Sequence, residues 1–578
     1  MEKGAHVNSG KYMFDFRKEL FRKERSLMIV LITNGGFAMI KGLTSHKVRQ
    51  SAPKPPVKKC SPSRTRESGQ RGRKATPKEQ VPLVTESISG LDKKRFPHIA
   101  NEVWNALSSA FRSSAQDLLQ SIEAFSRDPR NDVLELIQKS IPNWAFQAGI
   151  GAIEAALVNQ TGYLGSRLIC DECGQLALRF KGYAAHSFKI SLGTVSHKRA
   201  YYHCDCCQHS AYPMDHELGL DGEHRMVPQL QETMALMSAR VSYPEALDII
   251  SKLLPVRHCL KLQENVTRTI ASDARTQQER EHREAFLEPA KARFPKAKLP
   301  GEEASEVAAV AADGGYCPMK GKGEPAREFK LGVLGWLHLK PRTRPDEEPP
   351  EVKGRHYTGT FKGCDFAMEL TEIEFRRMGL DKAKTIQVIG DGAEWIWNRA
   401  NNFRANDDQE LVFTLDLYHA RERVSKVAEA FFGIQSLAGH EWYKARDVEL
   451  LEGRLPAFFG AFTHLAKAAK VRGDNELAAA ILENRTYFHK RQPMLDYKKF
   501  LERGLLVGSG MVEGGIRFVG KDRLDRTGMK WSEPGAENIL LLRTLHASGR
   551  WEDFVDTRTQ HRREKAKALK SRWLGLAA

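Results

Sequence analysis

Long apolar runs are missing from this 578-residue chain. The strongest, Leu27 to Ile40, is broken by Asn34-Gly35-Gly36 and is too short to span a bilayer. Arg22, Lys23 and Arg25 precede it, as they would a signal segment, but no small-residue cleavage site follows, which argues against export. Met28 and Met39 are alternative starts for the chain. Cysteine is sparse, nine in all, and that excludes a secreted disulfide scaffold and favours a reducing cytosol. Acidic residues fall short of basic ones, 72 against 90, for a net charge of +18. A basic excess of this size favours a polyanionic partner, nucleic acid or a membrane surface. No GxxxxGK[ST] or HExxH pattern occurs, so ATP-driven and zincin chemistry have no support. No internal repeat of 20–50 residues is present.

What remains is 41% hydrophobic and 28% charged, an ordinary globular balance that excludes collagen, coiled coil and full disorder. At roughly 150 residues per domain the length calls for about four domains. Residues 1–92 read as a disordered basic leader, rich in Lys, Arg, Pro and Ser from Lys47 to Lys78. Residues 93–162 have helical apolar spacing, as at Leu118, Leu119, Ile122 and Phe125. Between 163 and 215 the pattern changes to short alternating runs such as Phe188, Ile190, Leu192 and Val195. Residues 220–290 turn helical again, with Ser242 and Pro244 opening one helix and a turn at Pro255 before the next. That pair suits a helix-turn-helix or an ordinary helical hairpin. A charged linker, Gln277 to Glu303, leads to an α/β region with strands at Val307–Ala312, Phe329–Leu339, Lys384–Gly390 and Leu411–Leu415.

Five of the nine cysteines lie between Cys170 and Cys207. Cys170-x-x-Cys173 and Cys204-x-x-Cys207 are two knuckles separated by strand-like sequence. Four thiolates at that spacing can converge on one Zn²⁺, and a closed Cys₄ site would scaffold rather than catalyse. Gly174 suits the first tight turn, and Cys206 competes with Cys207 as a ligand.

Three acidic residues stand where strands end or helices begin: Asp313 in Asp-Gly-Gly, Asp391 in Gly-Asp-Gly, and Glu513 after Gly508-Ser509-Gly510. Each also has a local reading. Asp313 fits a hairpin turn, Asp391 with Glu394 fits a capping box, and Glu513 fits a solvated helix carboxylate. Together they would repel one another unless cations sat among them. Two Mg²⁺ held by Asp313, Asp391 and Glu513 could serve phosphodiester chemistry. Glu513, Arg517 and Lys521 recur every four residues, so they share one helix face, with Val512, Ile516 and Val519 on another. The cations could hold a DNA phosphate.

The order Asp-Gly, Gly-Asp-Gly, Asp416-Leu-Tyr-His419, then Gly508-Ser-Gly-Met-Val-Glu513 resembles a bacterial DDE transposase of the Mutator-like group. Lys521-Asp-Arg-Leu, Thr527-Gly-Met-Lys-Trp531 and Gly535-Ala-Glu make it most similar to the ISKra-type insertion-sequence family. The resemblance spans Tyr163 to Phe554. It implies a multidomain α/β chain with an RNase H-like catalytic core at 300–420 and 506–550, interrupted by an all-α insertion at 421–505. A zinc ribbon and a helix-turn-helix-like module would precede the core as DNA-binding parts; outside the resemblance, residues 551–578 read as a basic tail, with Arg562, Arg563, Lys565, Lys567 and Lys570. It implies Asp313, Asp391 and Glu513 as catalytic residues and Mg²⁺ ligands (Mn²⁺ as a substitute), with Asp416 the competitor of Asp391. Asp416 could orient His419, and Lys521 and Arg517 would be accessory. Trp442 suits a buried core or a base-stacking role. The implied activity is binding of terminal inverted repeats, Mg²⁺-dependent strand cleavage and strand transfer, with double-stranded DNA as partner, a homodimer or larger assembly on DNA, and a cytoplasmic, nucleoid-associated location. A nuclease without strand transfer and an inactive zinc-ribbon DNA-binding protein are the alternatives.

Overall fold

The computed structural model describes residues 97–127, 136–287 and 304–576, except 322, 324 and 527, and a two-residue antiparallel pair, Ile32–Thr33 with Gly36–Phe37. The chain divides into units Met1–Val81 and Pro82–Ala578. The rest of the leader and residues 288–303 lie outside the described residues.

Helices α1 (Asn101–Arg127) and α2 (Ile141–Leu157) pack on each other, as the apolar spacing of 93–162 predicts. A four-stranded antiparallel sheet follows: β1 (Arg167–Leu168), β2 (Leu178–Ile190), β3 (Gly193–Cys204) and β4 (Ser210–Ala211). After short α3 (Pro213–Leu218) come α4 (Pro228–Arg240), α5 (Tyr243–Leu253) and α6 (Leu260–Phe286). The predicted cap of α5 forms. Ser242 accepts from the Glu245 N–H, and the Glu245 carboxylate accepts from the Ser242 N–H at 2.8 Å. The expected linker from Gln277 is corrected over its first residues, because α6 continues to Phe286. Its charges are anchors: Glu281 meets Arg377 at 2.6 Å, and His282 meets Glu369 at 2.8 Å.

The second sheet holds five strands in the order β9-β8-β5-β6-β7. These are β5 (Val307–Pro318), β6 (Ala326–His338), β7 (Glu351–Thr360), β8 (Thr385–Gly390) and β9 (Glu410–Leu415), with α7 (Cys364–Arg377) between β7 and β8 and α8 (Glu394–Asn398) after β8. The first three strands are antiparallel, and β8 and β9 run parallel to β5. Strand β7 and helix α7 add to the strands that the sequence pattern predicts. Strand β5 also runs past Ala312, and Asp313 pairs with Leu331 inside the ladder, so it is not a turn residue.

Two cores cover the two faces. Val307, Ala309, Ala311 and Ile389 enter one, and Ala308, Val310, Ala312, Ile386 and Val388 enter the other, the two-residue period of buried strands. From Leu417 to Glu502 the chain is helical: α9 (Leu417–Phe432), α10 (Leu437–Leu451), α11 (Leu455–Val471), α12 (Asn475–Lys490) and α13 (Tyr497–Glu502). Trp442 meets Phe462 edge-on at 5.4 Å and packs against the insertion's core. One rod then returns to the sheet. It comprises α14 (Gly510–Gly515), a π-helical stretch (Ile516–Lys521) and α15 (Asp522–Leu524). Helices α16 (Glu533–Ala547) and α17 (Trp551–Trp573) end the described fold.

The tail is a docked helix. Trp573 is 2% exposed and shares a core with Cys170, Leu178 and Tyr202, and its Nε1 donates to Asp171 at 2.9 Å. Arg558 and Lys570 pair with Glu232 and Glu217 at 2.7 Å. Those basic residues are spent on the protein's own carboxylates.

Candidate functional site

Strand alternation decides which way the acids face. Asp313 and Asp391 continue the odd-numbered row of β5 and β8, whose Val307, Ala309, Ala311 and Ile389 enter the core shared with the rod. Val512, Ile516 and Val519 bury into that same core, while Glu513, Arg517 and Lys521 stay exposed. The rod therefore lies over the sheet face that carries both aspartates. Two glycines let it approach. A Cβ on Gly515 would sit 2.8 Å from Val333, and one on Gly520 would overlap the Phe329 ring. Residues five apart fall on different sides of an α-helix, and the wider i→i+5 turn of the π segment brings them toward one side.

Asp416 caps α9. Its Oδ1 accepts from the His419 N–H at 2.8 Å and its Oδ2 accepts from the Ser509 N–H. It is fully buried, and His419 Nδ1 stands 3.4 Å from Oδ1. Ser509 Oγ lies 3.5 Å from Glu513 Oε1. One ligand atom each from Asp416, His419 and Glu513 falls within 4.8 Å of the others. His419 is raised to about 9 by the Asp416 carboxylate beside its ring, with burial opposing and the charges of Asp391 and Asp313 adding to it. Burial raises the Asp313 carboxyl and the Asp391 charge adds to it, against the Gly314 N–H, His419 and Lys330. Three aspartates therefore share the field of one imidazolium.

Helix α12 and the residue that follows it grip the Asp391 loop from behind. Tyr487 Oη donates to the Asp391 carbonyl at 2.8 Å, and Arg491 donates to the Gly392 carbonyl at 2.7 Å. Arg423 and Arg491 stand over the Tyr487 ring at 3.8 and 4.0 Å. Gly392 has φ +94°, a backbone state that favours glycine. Asp391 Oδ1 accepts from the Ala393 N–H at 2.9 Å, and α8 has no side-chain cap. That is an Asx turn rather than the capping box with Glu394. Tyr487 and Arg491 carried no local signal, because they act across 96 and 99 residues.

The four knuckle cysteines come together on the smaller sheet. Cys170 and Cys207 sulfurs are 3.6 Å apart, Cys173 and Cys204 are 3.7 Å apart, and all four lie within 4.8 Å. A tetrahedron of roughly 2.3 Å Zn–S bonds has edges of about 3.8 Å, so the donor set fits a thiophilic ion. Gly174 takes φ +73° in the first knuckle, and Gln208 bonds back to Cys204 at 3.1 Å in the second. Cys204 is pushed down to about 7 by the Cys207 N–H, opposed by burial and helped by Cys206. Cys206 itself is exposed and stands outside the tetrad.

The fold and these clusters define a mixed α/β protein with a carboxylate–imidazole site on one sheet and a thiol tetrad on another. Its family model matches residues 167–561, and the chain belongs to the uncharacterised protein family UPF0236. A relative described as the UPF0236 protein in the vanSb 3′ region of Streptococcus gallolyticus is 22% identical over 362 residues, 60% of this chain and 69% of that one. The Drosophila P element transposase strand transfer complex aligns at 10% identity over 55% of this chain and 79% of its own, with a TM-score of 0.19, too low to indicate a shared fold. Among the described residues no helix is long and apolar enough to cross a membrane.

Proposed function

We propose that this protein is a DDE transposase with an RNase H-like core, which cuts transposon ends and joins the freed 3′-hydroxyls to target DNA. One observation carries the reading. Asp313 on β5 and Asp391, just past the end of its parallel neighbour β8, continue the residue row that faces the rod bearing Glu513. The strand order supports it too, with three antiparallel strands followed by two parallel to the first.

Asp313, Asp391 and Glu513 are the carboxylates that would hold Mg²⁺. When bound, two such ions activate the attacking water or 3′-hydroxyl and stabilise the leaving oxygen. Asp416 is the weaker ligand, since both its oxygens already accept backbone N–H groups. It serves instead to orient His419 and to tie Ser509, four residues before Glu513, to the end of β9. His419 supplies positive charge beside the scissile phosphate. Arg517 and Lys521, exposed on the Glu513 side of the rod, take the flanking phosphates. The thiol tetrad holds a structural Zn²⁺, and the modules before residue 290 bind the inverted repeats. Bringing two ends together calls for at least a dimer on DNA.

The test is Mg²⁺-dependent cleavage and joining of labelled DNA carrying the sequences that flank the gene. The reading expects joined products from the wild type and none from Glu513→Gln, with DNA binding retained. Cleavage without joining would favour a nuclease. Binding without chemistry in either protein would overturn the enzymatic reading.

A further inference from the structure

A second donor cluster lies on the smaller sheet, apart from the thiol tetrad. His186 on β2 and His197 on β3 are direct cross-strand partners, with ring centroids 5.7 Å apart. Asp215 on α3 closes over them. The three residues are 7%, 8% and 8% exposed, and one ligand atom from each falls within 4.8 Å of the others.

Their hydrogen bonding is unfinished. Both ring nitrogens of His197, the Nδ1 of His186 and the Oδ1 of Asp215 are buried without a hydrogen-bond partner. Buried polar atoms are ordinarily satisfied, and a group of orphans in one spot asks for a missing partner. His186 Nδ1 and Asp215 Oδ1 stand 3.4 Å apart, about the edge of a tetrahedron with roughly 2.0–2.1 Å bonds to nitrogen and oxygen. The Arg199 guanidinium engages the other carboxylate oxygen, Oδ2, and stacks on Tyr212 at 3.7 Å. It thereby turns Oδ1 toward the imidazoles, as outer partners of metal ligands do.

We propose that His186, His197 and Asp215 bind a second zinc ion, held by two imidazole nitrogens and one carboxylate oxygen and completed by water. This site is independent of the carboxylate centre and of the thiol tetrad. It would staple the β2–β3 hairpin to the start of α3, which leads into the helices at 228–286.

The test is zinc content together with X-ray absorption at the zinc edge, on untagged full-length protein after dialysis. Two zinc ions per chain, with a mixed sulfur and nitrogen/oxygen shell, are expected. His197→Ala and the double variant His186→Ala/His197→Ala should each lose one zinc and keep a pure sulfur shell. Cys170→Ser should show the reverse, losing the sulfur shell and retaining imidazole scattering. One zinc with a pure sulfur shell in the wild type would overturn the proposal, as would a mixed shell unchanged by the histidine variants. One zinc with only nitrogen and oxygen neighbours would support this site and remove the thiol tetrad instead. The wild-type spectrum decides even if a variant fails to fold.

Discussion

Replacing Gly520 with alanine puts a methyl group into the seam between the Glu513 rod and strand β6. The new Cβ would overlap the Phe329 Cζ and lie 2.8 and 3.2 Å from two further ring carbons, against roughly 3.5 Å for comfortable carbon contact. The ring has nowhere to go. It is fully buried and already packs on Gly315, directly opposite in the ladder, where a Cβ would overlap the same ring. The rod must therefore lift by roughly 1 Å or more. Overpacking of this kind costs about 1–3 kcal/mol, and the helix preference of Ala over Gly returns about 1 kcal/mol. The net is a loss of about 0–2 kcal/mol, a melting shift of a few degrees. The chemistry is less tolerant, since a 1 Å misplacement costs about 100-fold. Gly520→Ala should thus cut the joining rate by about 100-fold while the protein stays folded, and Phe329→Leu in the same chain should restore part of it. A folded Gly520→Ala protein with the wild-type joining rate would refute this seating of the rod.

Three further outcomes follow from other contacts. Trp573→Ala removes a side chain 2% exposed and should cost about 3–5 kcal/mol, with α17 released to protease; an unchanged digestion pattern would contradict the docked tail. Cys170→Ser should release the tetrad's zinc, read as lost sulfur neighbours at the metal. Glu374 is buried, and although burial opposes its ionisation, Arg550, Arg377 and His356 outweigh it and hold the carboxyl well below the usual range. A depressed carboxyl stabilises above its ordinary titration range and loses that contribution as pH falls through its folded value. Glu374→Gln should therefore cost about 3–5 kcal/mol at pH 7, with the gap narrowing below about pH 4. Melting curves at stepped pH check this, and an equal gap at both ends would contradict it.

The parts legible in the sequence were those set by local pattern. Buried parallel strands read as short, mostly apolar runs rich in β-branched and aromatic residues, so β8 and β9 are legible to within a residue or so. The Ser242 cap and the cysteine knuckles are local signals as well. Strand β7 was missed because Glu-Val-Lys-Gly-Arg-His-Tyr-Thr-Gly-Thr is an edge strand with charges interleaved, and only its ladder with β6 makes it regular. The charged end of α6 reads as linker until Arg377 and Arg550 supply its partners. The clamp of Tyr487 and Arg491 on the Asp391 loop depends on the insertion folding back, which no short window reveals. The basic tail shows the same effect in charge, since its partners Glu217, Asp221 and Glu232 lie over 300 residues upstream.

The claim that Asp391, and not Asp416, completes the carboxylate site is tested most directly by a metal switch. Asp391→Cys replaces a hard oxygen ligand with a soft sulfur, which Mg²⁺ rejects and Mn²⁺ tolerates. Joining of labelled ends should vanish for Asp391→Cys in Mg²⁺ and return in Mn²⁺, while Asp416→Cys should fail in both. Full activity of Asp391→Cys in Mg²⁺, or rescue by Mn²⁺ at Asp416 alone, would contradict the account.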